Sequence, residues 1–472
     1  MFERTFKNID DVLWKEAGCS SELDYIEQAS WMLFLKYLDD FEQKKADAAL
    51  ATNTSYQFNI EARYRWSTWT NLQYESDKLL SFVTDELFPY LRDFKQKTCS
   101  PHTMAYKLGE IFGEIGCKFQ SGESLQEALA LVDTLSFGSQ AHKHELSALY
   151  EVKIKNMGNA GRNGGEYYTP RPLIRAMLNI VNPQIGERIY DPSVGSAGFL
   201  CEASDYIRSR LRSEAEEQIL KTDTLFGNEK KNLAYVIATM NLILHGIETP
   251  NIKRTNTLRE SIDNLEEENR FDVILANPPF GGRERKDVQE NFSIKTSETA
   301  FLFLQHCIKK MKTGGRAAIV IKNTFLSNTD HAACSLRKEI LLTCNLHTIL
   351  DCPNGTFQGA GVKTVVLFFE KGKPTESTWF YQLDPGRKMG KTNPLNDNDL
   401  KDFLTLQKDF RNSDKSWAVG ISELDKSTFD LAPRNPNAQT QAKLRDPKTI
   451  LEEMASLDNQ SSELITRLRA LL

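Results

Sequence analysis

The segment Asn277-Pro278-Pro279-Phe280 combines side chains that could act on a planar amino group. It follows the strand-like run FDVILA, and its two prolines fix the backbone and remove N–H donors, so the loop presents acceptors. The amide oxygen of Asn277 and the carbonyl of Pro278 could accept both hydrogens of an exocyclic amine. Such acceptors favour a pyramidal nitrogen whose lone pair points at a sulfonium methyl group. Phe280 offers an aromatic face on which a base removed from its duplex could stack.

A second candidate is a glycine-containing turn after an earlier strand. In DPSVGSAGFL (191–200) the strand ends at Asp191, and Gly195 and Gly198 allow a tight turn into a helix. Glycines let a ligand approach the backbone and a helix N-terminus supplies N–H donors, so a nucleotide-like cofactor is plausible here. The spacing differs from G-x-G-x-x-G, which argues against a pyrophosphate group. Glycines after a strand also serve simple turns, and this motif alone leaves that alternative open.

The next strand-like run, TLFGNE (224–229), ends in the acid Glu229. A carboxylate at the C-terminal edge of a strand can accept hydrogen bonds from two adjacent ribose hydroxyls. Glu229 follows Gly198 at a greater separation than the usual ~20 residues, and the charged helix SRLRSEAEEQILK accounts for the excess. For an isolated acid at a strand end, exposure to solvent without a ligand would be the better interpretation.

These motifs need strands that end at one edge of a sheet, and the sequence after residue 155 supplies them. Short apolar runs alternate there with longer helical stretches, which predicts a doubly wound, mostly parallel sheet. The runs are RIYDP (188–192), TLFGNE (224–229), the segment around 252–258, FDVILANPPF (271–280), RAAIVI (316–321), LHTILD (346–351) and TVVLFF (364–369). The last two are joined by only CPNGTFQGAGVK, too short for a helical crossover, so they should pair antiparallel.

The remaining sequence predicts three flanking regions. Apolar residues at three- and four-residue intervals predict an all-helical N-terminal domain over 1–155. The catalytic domain is expected at 156–372, and the glycine-rich segment GNAGRNGG (158–165) at its start separates the two. Residues 373–446, which contain several prolines, are expected to be an irregular extension. A helix at 447–472 carries apolar residues at 4,3 heptad spacing; it could pack on its own chain, but a helix of another subunit is the favoured partner.

The cluster Tyr64, Trp66 and Trp69 could stack bases, but packing between helices is favoured.

The composition is typical of a folded globular protein and argues against an autonomous nucleic-acid-binding protein. The 472 residues are enough for about three domains at roughly 100–200 residues each, and 40% hydrophobic with 26% charged residues is typical of a folded globular chain. With 59 Lys and Arg against 64 Asp and Glu, the net charge of -5 lacks the basic excess of an autonomous nucleic-acid binder. Any contact with DNA must therefore use a local patch or a partner.

The eight cysteines are scattered, without Cys-x-x-Cys or paired histidine spacing. Neither a metal site nor a disulfide framework is therefore expected, and a reduced cytosol is the expected compartment. The N-terminal sequence has no apolar signal core, and no apolar run is long enough to span a bilayer. We expect a cytoplasmic protein without a membrane partner.

The motifs taken together in order resemble a known family. They are EYYTP (166–170), DPSVGSAGFL (191–200), GNEKKNLAYVIATMNLILHGIE (227–248), TNTL (255–258), ANPPFGG (276–282), FLQHCIKKMKTGGRAAIVI (303–321) and the terminal hairpin. This set closely resembles the modification subunit of type I restriction-modification systems, a family of N6-adenine DNA methyltransferases. The resemblance covers roughly residues 160–370. It implies an α/β S-adenosylmethionine-dependent methyltransferase fold, with a mostly parallel doubly wound sheet and a terminal antiparallel hairpin, preceded by the helical domain and followed by the C-terminal helix.

The resemblance also implies roles for individual residues. The segment that closes over the methionine portion of S-adenosylmethionine would comprise Glu166, Tyr167, Tyr168, Thr169, Pro170 and Arg171, and the loop beneath it Asp191, Ser196, Ala197 and Gly198. Glu229 resembles the ribose-binding acid, and the catalytic loop that binds adenine is Asn277, Pro278, Pro279 and Phe280. Pro170, Arg171 and Ala197 could instead shape the backbone.

Two departures from the family pattern affect the cofactor site. The glycine loop often reads DPACGTGGFL, and the residues that differ here are Ser193, Val194, Ser196 and Ala197, so the affinity for the cofactor could shift. Asn256 stands where many related methyltransferases carry an acid for the amino group of the cofactor's adenine. Its amide oxygen can accept the same hydrogen bond with less strength than a carboxylate.

The resemblance implies methyl transfer to N6 of a flipped adenine in duplex DNA. No region is large enough to be a dedicated recognition domain, so a separate specificity subunit would select the sequence. The expected partners are duplex DNA, that subunit, a second copy of this chain and a restriction or translocase subunit. Three alternatives are a self-sufficient DNA adenine methyltransferase, a protein glutamine methyltransferase and a catalytically silent assembly subunit. Protein glutamine methyltransferases usually have Tyr at the position of Phe280, which argues against that alternative. The intact 277–280 loop and Glu229 argue against a catalytically silent subunit.

Overall fold

The computed structural model describes residues 2–135, 137, 168–437 and 447–471, apart from 73–74, 98–99, 101–102, 263–264, 358–360 and 391. The described part of the N-terminal region is helical, as the apolar periodicity predicts. Its helices are α1 (Phe2–Lys15), α2 (Glu22–Ala51), α3 (Trp66–Trp69), α4 (Ser76–Ser81), α5 (Phe88–Lys97), α6 (Met104–Glu114) and α7 (Gly122–Asp133), with a 3-10 turn at Ala62–Tyr64 and a π-helical segment at Phe82–Leu87.

The aromatic cluster of this region belongs to its core. Trp66 and Trp69 are fully buried and meet edge to face, with ring centroids 5.2 Å apart. The Trp66 indole N–H donates a hydrogen bond to Asp133 at 2.8 Å. Tyr64, which is half-buried, stacks on Tyr90 at 3.9 Å between centroids. Packing between helices, the favoured interpretation of the cluster, is therefore what the structure shows.

One sheet organises the rest of the described chain. Its strands are β1 (Ile189–Asp191), β2 (Leu225–Glu229), β3 (Asn251–Arg254), β4 (Phe271–Ala276), β5 (Met311–Lys322), β6 (Cys344–Asp351), β7 (Thr364–Lys371), β8 (Ser377–Gln382) and β9 (Ser416–Gly420). They lie in the order β3-β2-β1-β4-β5-β7-β6-β8-β9. The first five strands are parallel, and β7 runs antiparallel to both β5 and β6. The predicted parallel sheet with its terminal antiparallel hairpin is confirmed.

Helices cover both faces of this sheet. They are α8 (Arg171–Val181), α9 (Gly198–Arg208), α10 (Glu214–Ile219), α11 (Asn232–Leu244), α12 (Lys286–Gln289), α13 (Thr299–Lys310), α14 (His331–Thr343) and α15 (Lys401–Gln407). Alternate residues of β5 enter different hydrophobic clusters, because side chains alternate across a strand. Ala318 and Val320 join the cluster with the helices α8, α9 and α11, whereas Ile319 and Ile321 join the cluster with α13 and α14. The C-terminal helix is α16 (Pro447–Leu471).

The helical domain packs against the edge strand β3, beside the strands that carry the cofactor motifs. The ammonium group of Lys107 on α6 donates to the backbone carbonyl of Ile252 at 3.3 Å and to Glu110 at 3.1 Å. Burial lowers the pKa of Lys107. Arg254 at the end of β3 pairs with Glu114 of α6 at 2.9 Å. These contacts satisfy an edge carbonyl and fix the helical domain relative to the catalytic sheet.

The prediction of an irregular extension over 373–446 is wrong in its described part. β8 and β9 continue the catalytic sheet, with β8 parallel to β6 and antiparallel to β9. Trp379, Phe380 and Tyr381 are all buried, so β8 has no alternation of polar and apolar residues. The many prolines lie in the connections. No helix among the described residues is long and apolar enough to cross a membrane.

Candidate active site

The predicted motifs meet at the C-terminal edge of four neighbouring strands. Asp191 ends β1, Glu229 ends β2, Asn256 follows β3 and Asn277 follows β4. A cavity of about 260 Å³ opens at this edge. Its lining includes Pro192, Ser193, Gly195, Asn228, Glu229, Lys230, Lys231, Asn256, Thr257, Asn277, Pro279, Arg283, Thr299 and Phe303. The sheet therefore brings the candidate cofactor acid and the candidate catalytic amide to one cavity.

The carboxylate of Glu229 is tied to the glycine loop. Its two oxygens accept hydrogen bonds from the backbone N–H groups of Gly195, at 2.9 Å, and Lys231, at 2.8 Å. The side chain is 8% exposed, and this burial raises its pKa. Each carboxylate oxygen has two lone pairs, so each can accept one further hydrogen bond from a ligand. Glu229 therefore has the capacity for two adjacent hydroxyls.

The glycine loop has a backbone that few residues adopt. Gly195 and Ala197 lie in the left-handed region, with φ of 56° and 65°, and Gly198 begins α9. A Cβ atom at Gly198 would lie 1.7 Å from a guanidinium nitrogen of Arg171, so glycine allows this side chain its close approach. Asn241 of α11 donates to the carbonyl of Ser196 at 2.9 Å and holds the loop from the other side.

Asp191 supports this loop from below and does not line the cavity. It is fully buried, and one of its oxygens accepts from the backbone N–H of Ser193 at 2.9 Å. The other oxygen has no hydrogen-bond partner among the described residues. Burial, together with the charge of Glu229, raises the pKa of Asp191 to about 8. The carboxyl group is therefore largely protonated at neutral pH.

Asn277 presents an unsatisfied acceptor next to the cavity. Its side chain is 9% exposed, and its amide nitrogen donates to the hydroxyl of Thr169 at 3.0 Å. The amide oxygen, Oδ1, is buried and has no partner among the described residues. A buried acceptor without a donor costs roughly 1–3 kcal/mol, and Oδ1 is therefore available for a donor from a ligand. Pro278, which has no N–H group, is buried behind it.

The sequence and the structure of the whole chain match one family. Residues 141–444 match the N-6 DNA Methylase family, and residues 2–130 match the HsdM N-terminal domain. The chain belongs to the N-6 DNA methylase family. It is an adenine-specific DNA methyltransferase of the type I restriction-modification class, as the ordered motifs indicate.

Individual relatives are similar to this methylase over their full length. The type I restriction enzyme EcoEI methylase subunit of Escherichia coli is 32% identical over 99% of this chain and 96% of that protein. A structure described as a modification subunit of a type I restriction enzyme from Vibrio vulnificus YJ016 is 32% identical, with a TM-score of 0.83 over 92% of this chain and 96% of that one. A chain from a study of complex assembly and conformational transition in a type I system is 33% identical, with a TM-score of 0.81 over 100% and 98%.

The methylase has an aromatic neighbour for Phe280 that the sequence analysis missed. The rings of Phe280 and Phe357 meet edge to face, with centroids 5.3 Å apart and an angle of 77°. Phe357 is 3% exposed and lies in the connection CPNGTFQGAGVK between β6 and β7. The length of that connection predicts only the antiparallel pairing of the two strands. Its one aromatic residue among glycines was the available signal.

The segment before α8 is only partly described. Glu166 and Tyr167 lie outside the described residues. Tyr168 and Thr169 are half-buried, and Pro170 is the N-cap residue of α8. The guanidinium of Arg171 is buried against Gly198, 5.7 Å from the ring centroid of Tyr168. These contacts agree with the alternative in which Pro170 and Arg171 shape the backbone.

Two further walls of the cavity come from Asn256, which belongs to the predicted set, and from helix α13, which does not. Asn256 lines the cavity, and its amide oxygen accepts from the backbone N–H of Leu258 at 3.2 Å, so part of its accepting capacity is already used. Thr299 and Phe303 of α13 form a second wall. The motif that begins at Phe303 was noted in the sequence for its resemblance alone. The signal in the sequence for a cavity wall here is that this motif begins in a helix that follows the catalytic loop.

Proposed function

We propose that this methylase transfers a methyl group from S-adenosylmethionine to N6 of an adenine flipped out of duplex DNA, with the sequence selected by a separate specificity subunit. The observation that carries the proposal is the buried, partnerless Oδ1 of Asn277 at the end of β4. An acceptor in this position suits the amino group of a base. Phe280, three residues further along the loop, and its neighbour Phe357 would provide the aromatic surface for that base.

The residues of the cavity fit the proposed cofactor. Glu229 would accept from the ribose hydroxyls, and the amide oxygen of Asn256 would accept from the amino group of the cofactor's adenine. Ser196 and Gly198 line an adjoining recess of about 10 Å³ that also borders Asn277, and the methionine portion would lie in the main cavity against this wall. When bound, S-adenosylmethionine supplies a methyl group activated by a sulfonium centre. The chain's contribution is to hold that group next to the catalytic loop.

The catalytic loop would bind the target amine by acceptors. Oδ1 of Asn277 and the carbonyl of Pro278 accept the two N6 hydrogens and favour a pyramidal nitrogen, which stabilises the transition state more than the planar ground state. The nitrogen becomes cationic as the new N–C bond forms. It then releases a proton readily, so the loop needs no strong general base. Phe280 stacks on the flipped base.

The rim of the cavity carries positive charge that the net charge of the chain does not reveal. Lys230, Lys231 and Arg283 line the cavity and are exposed, and the half-buried Glu284 offsets part of their charge. Basic side chains at this position would contact phosphates next to the flipped nucleotide. The chain as a whole carries -5, so we assign the larger part of the DNA affinity to the specificity subunit.

The C-terminal helix α16 provides a surface for that subunit. All its described side chains, residues 448–470, are exposed, including an apolar row. The row consists of Ile450, Met454, Leu457, Leu464 and Leu468, whose exposed fractions lie between 41% and 61%. The heptad spacing of this row suits a partner helix, and we propose a helix of the specificity subunit. A second copy of this chain and a restriction or translocase subunit would join the same assembly.

The first experiment is mass spectrometry of N6-methyladenine in duplex DNA incubated with S-adenosylmethionine. It compares this chain alone with the chain plus its specificity subunit. Methylation only in the second sample is the expected result. Methylation by the chain alone would replace the proposal with a self-sufficient enzyme. Absence of methylation in both, with no cofactor binding in calorimetry, would support the silent assembly subunit.

A further inference from the structure

A hydrogen bond joins the segment before α8 to the catalytic loop. The hydroxyl of Thr169 accepts from the side-chain amide nitrogen of Asn277 at 3.0 Å, across 108 residues of sequence. The two residues also line the same small cavity, together with Ser193, Val194, Gly195, Ser196, Gly198 and Phe199. The family resemblance implies contact of Thr169 with the cofactor. Its hydrogen bond leads instead to the residue that would bind the target base.

The Thr169 hydroxyl can both donate and accept, and in the structure it accepts from the amide nitrogen, which leaves the amide oxygen of Asn277 available. A side-chain amide carries a donor at one end and an acceptor at the other, and rotation about its last torsion exchanges them. If the amide nitrogen of Asn277 faced the adenine amine, two hydrogen-bond donors would meet. The lone pair of the adenine N6 would then not be directed at the methyl group. With the nitrogen engaged by Thr169, Oδ1 is the atom left for the substrate, as its partnerless state shows.

Thr169 is itself held on a rigid base. Pro170 follows it, and a residue before proline is restricted to extended conformations. The Pro170 carbonyl accepts the first hydrogen bonds of α8, from Leu173 at 3.0 Å and Ile174 at 3.2 Å. Next along the chain, the buried Arg171 packs on Gly198. The hydroxyl therefore has a fixed position relative to both the cofactor loop and the catalytic loop.

We propose that Thr169 is a positioning residue whose hydroxyl holds the Asn277 amide with its oxygen towards the substrate amine. This inference rests on the proposed function of Asn277. It assigns to Thr169 a role in the methyl-transfer step that is separate from affinity for the cofactor.

The test compares Thr169→Val, which keeps the shape and removes the acceptor, with Thr169→Ser, which keeps the hydroxyl. Both are assayed in complex with the specificity subunit, as single-turnover transfer rates at saturating DNA and S-adenosylmethionine. We expect Thr169→Val to lower the rate roughly tenfold to a hundredfold, and Thr169→Ser to stay within about threefold of wild type. The dissociation constant of S-adenosylmethionine should change less than about twofold in both. Thr134→Val, at an exposed position, is the matched control.

A second measurement separates positioning from a general structural effect. Asn277→Asp places acceptors at both ends of the side chain, so its orientation no longer matters. In that background, Thr169→Val should change the remaining rate by less than about threefold. An equal loss in both backgrounds would overturn the proposal. So would a normal rate with weakened cofactor binding, which would make Thr169 a cofactor contact.

Failure of the positioning role of Thr169 can be distinguished from failure of the proposed methyltransferase function. If the wild-type complex forms no N6-methyladenine, the proposed function fails before Thr169 is considered. If wild type is active and Thr169→Val equals it, only the positioning role fails. Should the valine variant not fold, as judged by thermal unfolding, Thr169→Ala against Thr169→Ser makes the same comparison. A rate lowered in alanine and retained in serine supports the role, and equal rates contradict it.

Discussion

Glu229 at the end of β2 accepts a hydrogen bond from the backbone N–H of Gly195, 2.9 Å away in the loop after β1. This contact joins two neighbouring strand ends, and the same carboxylate also accepts from Lys231. The acid therefore organises the cofactor loop in addition to offering lone pairs to a ligand. Its replacement should affect cofactor binding more than the chemical step.

We predict that Glu229→Gln raises the dissociation constant of S-adenosylmethionine at least about tenfold, since a lost hydrogen bond to a charged group is worth about 1.5–3 kcal/mol. The glutamine has only one accepting oxygen and cannot serve two backbone N–H groups and two hydroxyls. Isothermal titration calorimetry measures the change. Glu214→Gln, at an exposed position on α10, should bind like wild type. Equal affinities of wild type and Glu229→Gln would remove Glu229 from the cofactor site.

Asn277→Ala should nearly abolish methyl transfer and leave cofactor affinity within about twofold, because it removes an acceptor used by the substrate amine alone. Single-turnover methylation with the specificity subunit measures the first effect, and calorimetry measures the second. Transfer at a rate comparable to wild type would contradict the acceptor mechanism. Parallel losses of transfer and cofactor affinity would instead place Asn277 in the cofactor site.

The contact between Phe280 and Phe357 predicts coupled effects on base binding. Phe280→Ala should weaken binding of the flipped base by about 1–3 kcal/mol, the usual value for stacking on an aromatic side chain. Phe357→Leu should lower binding less, and because the rings meet at 5.3 Å, the double variant should lose less than the two single losses combined. A fluorescent base analogue at the target position follows base extrusion. Fluorescence of Phe280→Ala equal to that of wild type would show that Phe280 does not stack on the flipped base.

Much of this site could be predicted because its residues directly follow strands. Asn277, Glu229 and Asp191 end or follow runs whose apolar character marks buried parallel strands, and parallel strands bring their carboxyl ends to one edge. Phe357 could not be placed in this way, since it lies in an irregular connection with no period to fix its direction. The bond from Thr169 to Asn277 spans 108 residues and depends on tertiary packing alone.

The extension after β7 shows a different limit of prediction from sequence. Trp379 and Tyr381 pack into one hydrophobic cluster and Phe380, on the opposite face of β8, packs into another, so the middle of the strand has no polar face. Its parallel partner is β6, and β7 lies between these two strands in the sequence. A short apolar run between proline-rich segments could be a strand or a buried loop. Only the pairing with β6 decides between them.

Asp191 predicts a pH dependence of stability. Burial raises its pKa to about 8 in the folded chain, against an ordinary value near 4 in an unfolded chain. The folded state therefore holds the proton more tightly, and the stability that this contributes is present at low pH and lost as the pH rises towards 8. Each pKa unit of difference corresponds to about 1.4 kcal/mol.

Asp191→Asn keeps the shape and has no titrating proton, so the melting temperature of wild type relative to this variant should fall between pH 5 and pH 8. Differential scanning fluorimetry of both proteins across this range measures the difference. Asp458→Asn, at an exposed position on α16, is the control, and its difference from wild type should stay constant. A constant difference for Asp191→Asn as well would show that its carboxyl group does not gain a proton on folding.

The apolar row of α16 predicts that assembly can be lost without loss of the catalytic site. Met454 and Leu457 are 60% and 61% exposed, and Leu457→Asp would place a charge in the centre of the proposed helix–helix contact. We expect binding of the specificity subunit to weaken by about 2 kcal/mol or more, as for central interface residues. Size-exclusion chromatography with light scattering measures assembly, and calorimetry should show unchanged binding of S-adenosylmethionine. Asn459→Asp, which adds a charge outside the row, should assemble normally. If Leu457→Asp assembles like wild type, the specificity subunit binds elsewhere on the chain, and α16 has a different partner.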